Sequence, residues 1–231
     1  MKRLVATVLL ILSGSIAAAD TIAVIGTGNV GHALGIEFAA QGHRIVYGSR
    51  NPERDSVKDL VAQTGHGATA TTQAAAVVGA DIVVLAVPGM LAEEITLSLG
   101  DLSGKIIIDP TNPLKREGSS LSHAVATSNG EIIQAAAPDA DVVKAFNALN
   151  WKTMMDPDES GGPVSIPLAG NNDNAKAKVA ELVAGMGLDP IDLGGIENAH
   201  WIEGMLILWI NNRYGGSRDP FDFYLRRRSR K

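Results

Sequence analysis

The sequence predicts an α/β protein: a parallel sheet wrapped on both faces by helices and followed by a short helical C-terminal extension. Three observations lead there. Short apolar runs recur at Thr21–Ile25, Arg44–Tyr47, Asp81–Val87, Lys105–Asp109 and Asp141–Phe146. They are apolar at consecutive positions, as strands covered on both faces must be. Segments with helical spacing separate them, the alternation that builds parallel sheets. The first run leads directly into Gly26-Thr27-Gly28-Asn29-Val30-Gly31. That G-x-G-x-x-G spacing, between a strand and an apolar helical pattern (Val30, Leu34, Phe38), marks a Rossmann-type dinucleotide site.

Each glycine of the run has a physical role. Gly26 permits the tight turn out of the strand, Gly28 lets a pyrophosphate approach the backbone, and Gly31 lets the helix pack against the sheet. The phosphates then face the N-terminus of a helix starting near Gly28, where free N–H groups and the helix dipole favour negative charge. That helix is expected over Asn29–Gln41, ending at Gly42. After the second strand, Pro52–Thr64 reads as a polar helix with Asn51 as N-cap and Pro52 at its first position. Thr71–Val78 reads as a short helix, and the apolar strand from Asp81 stops at Pro88-Gly89. A helix over Leu91–Leu99 and a further strand follow, then helical pieces over Leu121–Ala126 and Glu131–Ala137. Beyond the Asp141 strand, residues 156–163 form a turn-rich acidic loop. A strand over Val164–Ala169, a helix over Asp173–Gly185 and an apolar helix over Glu197–Asn212 complete the pattern. The last helix carries apolar residues around more than one face, which suits deep burial or half of a dimer contact.

Composition narrows the function classes. The 231 residues suffice for one doubly wound domain and a small appendage. A net charge of −5 gives no electrostatic basis for binding nucleic acid. The absence of cysteine excludes disulfides, thiolate catalysis and cysteine-ligated metals, and no metal site is expected. Lys2-Arg3, the apolar run Leu4–Leu12 and Ala17-Ala18-Ala19 match a signal peptide cut after Ala19. That predicts a periplasmic or secreted protein with no transmembrane domain in the mature chain; the alternative is a cytoplasmic protein that keeps its apolar extension. The expected organisation is therefore signal peptide 1–19, nucleotide-binding domain 20–150, a small part 151–212 that completes the cleft, and a basic tail 213–231.

At the end of the second strand, where NAD-binding folds place a carboxylate on the ribose 2′-hydroxyl, the chain has Gly48-Ser49-Arg50. A hydroxyl and a guanidinium suit a 2′-phosphate, and Arg54 adds charge one turn later. These residues favour NADP(H) over NAD. The reacting ring belongs outside the carboxyl ends of the strands, beside Ala86-Val87-Pro88-Gly89, Asp109–Pro113 and Lys144–Asn147. His32, His43, His66, His123 and His200 read as structural or surface residues, with His200 the one candidate for an acceptor-side contact. Trp151, Met154 and Met155 read first as core and second as a wall over an acceptor ring.

The ordered set GTGNVG, YGSR, LAVP, DPTNP, KAFN and Gly195-Ile196-Glu197-Asn198-Ala199 resembles the NADPH-dependent deazaflavin-coenzyme (F-420) reductase family over about residues 21 to 212. It is also similar to the NADPH domain of six-transmembrane metalloreductases. The resemblance implies a homodimeric oxidoreductase that moves hydride between NADP(H) and a small-molecule acceptor, a flavin or deazaflavin co-substrate. It implies that Thr27, Gly28, Asn29 and Val30 serve the pyrophosphate, and that Ser49 and Arg50 hold the 2′-phosphate. Val87 and Pro88 would border the nicotinamide, with Asn112 and Asn147 as amide donors nearby. Two alternatives stay open: a non-catalytic NADP(H)-binding sensor or subunit, and a small imine or hydroxyacid reductase. The latter group normally adds a long helical domain, for which little chain remains after KAFN. A short-chain dehydrogenase is disfavoured because Tyr47, Tyr214 and Tyr224 all lack the lysine of Tyr-x-x-x-Lys.

Overall fold

The computed structural model describes residues 19–214 and 219–228. The N-terminal run through Ala18, and with it most of the expected signal peptide, lies outside the described residues, as do 215–218 and 229–231. In chain order the elements are β1 (Thr21–Ile25), α1 (Asn29–Ala40), β2 (Arg44–Gly48), α2 (Asp55–Thr64), β3 (Thr69–Thr71), α3 (Gln73–Ala76), β4 (Ile82–Leu85), α4 (Ala92–Ser98) and β5 (Ile106–Asp109). There follow β6 (Leu114–Glu117), β7 (Ser120–His123), α5 (Asn129–Ala136), β8 (Asp141–Lys144), α6 (Trp151–Met155), β9 (Ser165–Gly170), α7 (Asp173–Gly185), β10 (Asp189–Asp192) and α8 (Ala199–Tyr214).

Eight strands form one sheet in the order β10-β9-β8-β5-β4-β1-β2-β3. The six from β3 to β8 run parallel, and the chain reverses its direction of travel across the sheet between β1 and β4. That switch point opens a crevice at the carboxyl ends of the two strands. β9 joins β8 antiparallel, and β10 then pairs parallel to β9, so the far edge runs opposite to the rest.

Side chains alternate across the sheet. Ile22 and Val24 point to one face and pack with Leu34 and Phe38 of α1, Leu60 of α2 and Val179 of α7. Ala23 and Ile25 point to the other, against Ala76, Ala92, Ile133 and Ala199 from α3, α4, α5 and α8. Both faces are therefore dry, as the unbroken apolar runs require.

The structure corrects several local expectations. Leu121–Ala126 is not helical: β6 and β7 form an antiparallel hairpin, with Glu117 opposite Ser120 across a Gly118-Ser119 turn. Gly118 has φ +61, which suits the left-handed start of a tight hairpin turn. α2 begins at Asp55 rather than Pro52. Asn51 is not its N-cap; its carbonyl accepts from the Arg54 N–H, and Pro52-Glu53 form a turn that delivers Arg54 as the extended cap residue. The helix expected from Thr71 is preceded by β3 and starts only after Thr72, whose hydroxyl accepts from the Ala75 N–H. β10 and α6 have no counterpart in the expected pattern.

The C-terminal segment 219–228 is held in part against the sheet. Phe223 O accepts from Ser165 N–H at 2.9 Å, and Arg227 pairs with Asp189 at 2.9 Å. No helix among the described residues is long and apolar enough to cross a membrane.

Candidate functional site

The crevice at the switch point is a cavity of about 750 Å³ whose walls include Gly26, Thr27, Gly28, Ser49, Arg50 and Arg54. Ala86, Val87 and Pro88 close it from β4. The glycine loop is shaped by contact. Gly26 has φ +105, and a Cβ there would collide with the Ala86 carbonyl. A Cβ on Gly31 would collide with the Gly26 carbonyl, so α1 lies directly on the turn. At Gly28 a Cβ would meet nothing within 4 Å, because that position faces open space. Gly28 is the N-cap of α1, with no capping side chain and no acidic residue in the first turn. The first-turn N–H groups are thus left for an anion.

The second strand supplies the other end. Ser49 is buried; its hydroxyl accepts from Asn51 N–H at 3.2 Å, and its N–H donates to Thr71 O at 2.9 Å. Arg50 is exposed at the rim, while the Arg54 guanidinium reaches across to Thr27 Oγ1 at 3.4 Å. A hydroxyl and two guanidiniums with no carboxylate at the end of β2 form an anion site beside the ribose position. The cradle around Gly28 and this set together fit a dinucleotide carrying a 2′-phosphate.

Most of the residues expected to bind cofactor therefore gather in one cavity. Asn29, Val30 and Gly31 occupy the first turn of α1 behind it, with Val30 packed on the core. Sequence reasoning missed Gln73, Leu91, Glu94, Ile95 and Ser98, which also line it; Glu94, a carboxylate, comes from α4 and not from the end of β2. Leu91, Ile95 and Ser98 share one face of the turn and helix after Pro88, a helical spacing that could have marked them.

Asn112 and Asn147 join the ends of β5 and β8. Asn147 Nδ2 donates to Asn112 Oδ1 at 2.9 Å and to Ile202 O at 3.2 Å, and Asn112 Nδ2 donates to Asn147 O at 3.1 Å. Both hydrogens of the Asn147 amide are spent within the protein. Its Oδ1 is buried with no partner among the described residues, Asn112 keeps one amide hydrogen, and neither residue belongs to the lining of the nucleotide cavity. His200 lies on α8 outside the cavity lining, with Nδ1 donating to Thr127 O at 2.6 Å. Met154 is fully buried against α1 and is core; Met155 is partly exposed.

Beneath the strand ends lies a charge cluster that no local spacing announces. Lys144 Nζ sits 2.8 Å from Asp109 Oδ2, 2.6 Å from Glu203 Oε1 and 2.6 Å from Thr111 O, with all three charged side chains inaccessible. Glu203 Oε2 meets His123 Nε2 at 2.8 Å, and Glu203 Oε1 also accepts from Asn129 N–H at 2.9 Å. Burial pushes the Glu203 carboxyl above its usual range, against the pull of Lys144.

Comparison with known proteins places these features in context. The family model described as "NADP oxidoreductase coenzyme F420-dependent" matches residues 21–113. The F420-dependent NADP reductase of Methanothermobacter thermautotrophicus is 32% identical over 207 residues, covering 82% of this chain and 88% of that protein. A crystal structure of a putative F420-dependent NADP-reductase from Arthrobacter sp. FB24 superposes with a TM-score of 0.80 at 32% identity, covering 90% of this chain and all of that one. Metalloreductase STEAP3 of Rattus norvegicus is 30% identical over 187 residues, 80% of this chain. This chain spans 36% of the length of that metalloreductase.

Proposed function

Because the chain belongs to the F420-dependent NADP oxidoreductase family, we propose that it transfers hydride between NADP(H) and a flavin-like or deazaflavin ring, as a homodimer. The observation that carries the reading is the meeting of Ser49, Arg50 and Arg54 with the glycine loop in one cavity. NADPH, when bound, supplies the hydride. The first turn of α1 holds the pyrophosphate, and Ser49 with the two arginines holds the 2′-phosphate. Val87 and Pro88 border the reacting ring, and Asn112 and Asn147, paired with each other at the strand ends beyond the cavity lining, are the candidate amides on its far side. Ring-to-ring hydride transfer draws most of its acceleration from holding two planes at reacting distance, so the cleft needs no strong acid or base at its centre. His200, packed against Trp201 outside the cavity lining, is the candidate for an acceptor-side contact.

Arg50→Ala tests the cofactor assignment: KM should rise at least tenfold for NADPH and change little for NADH. An equal rise for both overturns it. The acceptor is tested by mixing protein and NADPH with a deazaflavin, FMN or a ferric chelate and following nicotinamide absorbance. Tight NADPH binding without acceptor-dependent oxidation across the panel would make the protein a sensor or subunit instead. The run Leu4–Leu12 ending in Ala17-Ala18-Ala19 supports export and cleavage before Asp20, which N-terminal sequencing of protein from the native host checks.

A further inference from the structure

Three loops meet outside the sheet where the reacting ring belongs: Pro88-Gly89 after β4, Thr111-Asn112 after β5, and the Asn147 loop after β8. They are packed without slack, since a Cβ on Gly89 would collide with the backbone of Asn112. Asn129, the first residue of α5, ties two of them together; its Nδ2 donates to Gly89 O at 2.9 Å and to Thr111 Oγ1 at 2.7 Å. Thr111 is held again by Asp109 Oδ1, which accepts from its N–H at 2.8 Å and its hydroxyl at 2.6 Å, and by Lys144 on its carbonyl. Asn129 and Lys144 converge on one atom, Glu203 Oε1.

We propose that Glu203 is a positioning residue for hydride transfer: from α8, through Asn129 and Lys144, it fixes the loops that floor the nicotinamide end of the cleft. This rests on the reading of the cleft as an NADP(H) site. None of Glu203's hydrogen-bond or ion-pair partners among the described residues lines the nucleotide cavity, so its influence is on the geometry of the floor and not on nucleotide affinity.

The proton count supports a cluster built to stay closed. The charged and titratable groups facing Glu203 are Lys144 from β8, His123 from β7 and, through Lys144, Asp109 from β5; His200 of α8 packs its ring 4.8 Å from that of His123. His123 Nδ1 faces Val125 O at 3.0 Å, which can only accept, so that nitrogen carries hydrogen. His123 Nε2 faces the Glu203 carboxyl, and one more proton lies between them on either group. In both arrangements the buried set is neutral, two negative charges against two positive or one against one, the condition under which such a cluster avoids a large desolvation cost. Removing the Glu203 carboxylate leaves the Asn129 N–H and His123 Nε2 without their partner and Lys144 held by Asp109 and Thr111 alone, and lets the loops move.

The test uses full-length protein with NADPH and FMN or a deazaflavin. Glu203→Gln should lower the single-turnover hydride-transfer rate at least tenfold, while the calorimetric Kd for NADPH stays within about twofold. Fluorescence of bound NADPH, which reports the nicotinamide ring, should lose its enhancement over the free nucleotide. Asn129→Ala, which leaves the ion cluster in place and cuts only the bonds to Gly89 and Thr111, should reproduce both effects and covers the case in which Glu203→Gln fails to fold. Glu203→Asp should recover part of the rate. Unchanged ring fluorescence and rate in Asn129→Ala, or a loss of NADPH affinity matching the loss of rate, overturns the proposal. If wild-type protein binds NADPH but reduces no acceptor, the hydride-transfer reading fails and positioning falls with it as a catalytic role. If wild type turns over and the variants match it, positioning alone fails.

Discussion

Gly28 and Gly31 stand in the same turn of chain, yet a methyl group would act oppositely at the two. At Gly31 it meets the Gly26 carbonyl, backbone that cannot yield without opening the loop. Gly31→Ala should therefore cost about 1–3 kcal/mol of stability, the scale of overpacking in a close-packed interior, and lower NADPH affinity at least tenfold. At Gly28 the methyl enters the space left for the pyrophosphate and touches no protein atom within 4 Å. Gly28→Ala should change stability by less than about 0.5 kcal/mol while still weakening NADPH about tenfold. Thermal unfolding beside calorimetric titration separates the two; equal destabilisation would mean the loop is not packed as described. These roles were readable from residue spacing alone, because the loop is local and its job is steric. The Asp109–Lys144–Glu203–His123 cluster was not. Its pairs lie between 35 and 80 residues apart in sequence, and no spacing links the strand ends at Asp109 and Lys144 to Glu203 or His123.

Packing between elements is fixed partly by one phenol. Tyr47 of β2 is fully buried, and its hydroxyl lies 2.8 Å from Thr64 Oγ1 at the end of α2. Thr64 spends its own hydrogen on Leu60 O at 2.8 Å, so Tyr47 must be the donor. Burial pushes the phenol up to about 12. A folded-state value above the unfolded one of about 10 means that this contribution to stability is complete below pH ~10 and is lost as pH rises through about 12. Tyr47→Phe should cost ~1 kcal/mol at neutral pH for the lost hydrogen bond, and should flatten the alkaline fall in melting temperature. Tyrosinate absorbance that develops fully before unfolding begins would contradict the buried assignment. Elements of this kind were legible where an apolar run ends at glycine or proline, as in β1, β4 and β5. They were lost where the pattern is short or polar. In the β6–β7 hairpin one leucine is followed by three charged residues and the return strand alternates serine with Leu121 and His123, and its Gly118-Ser119 turn outweighs any helical spacing in Leu121–Ala126. β10 carries Pro190 and two aspartates, tolerable because it lies at the sheet edge.

At the scale of the whole molecule, α8 is a long helix whose burial is incomplete. Ile202, Glu203 and Leu206 face inward, and Asn211 binds the edge of the hairpin, accepting from Leu121 N–H at 2.8 Å and donating to Leu121 O at 2.7 Å. The opposite side carries Trp201 at 71% exposure and Leu208 at 65%, seven residues apart and so on one stripe. Two large apolar side chains turned outward on the helix that also supplies the floor-fixing carboxylate suit a self-complementary contact between two copies across a two-fold axis. The expected outcome is a homodimer by light scattering. Trp201→Glu or Leu208→Glu should shift it to monomer with NADPH affinity retained, since neither residue lines the nucleotide cavity. Because α8 carries Glu203 on its inner face, dissociation should also slow hydride transfer, and by a larger factor than either substitution changes KM for NADPH. Monomeric wild-type protein with full activity would remove the dimer from the reading and leave α8 stabilised by the sheet and hairpin alone.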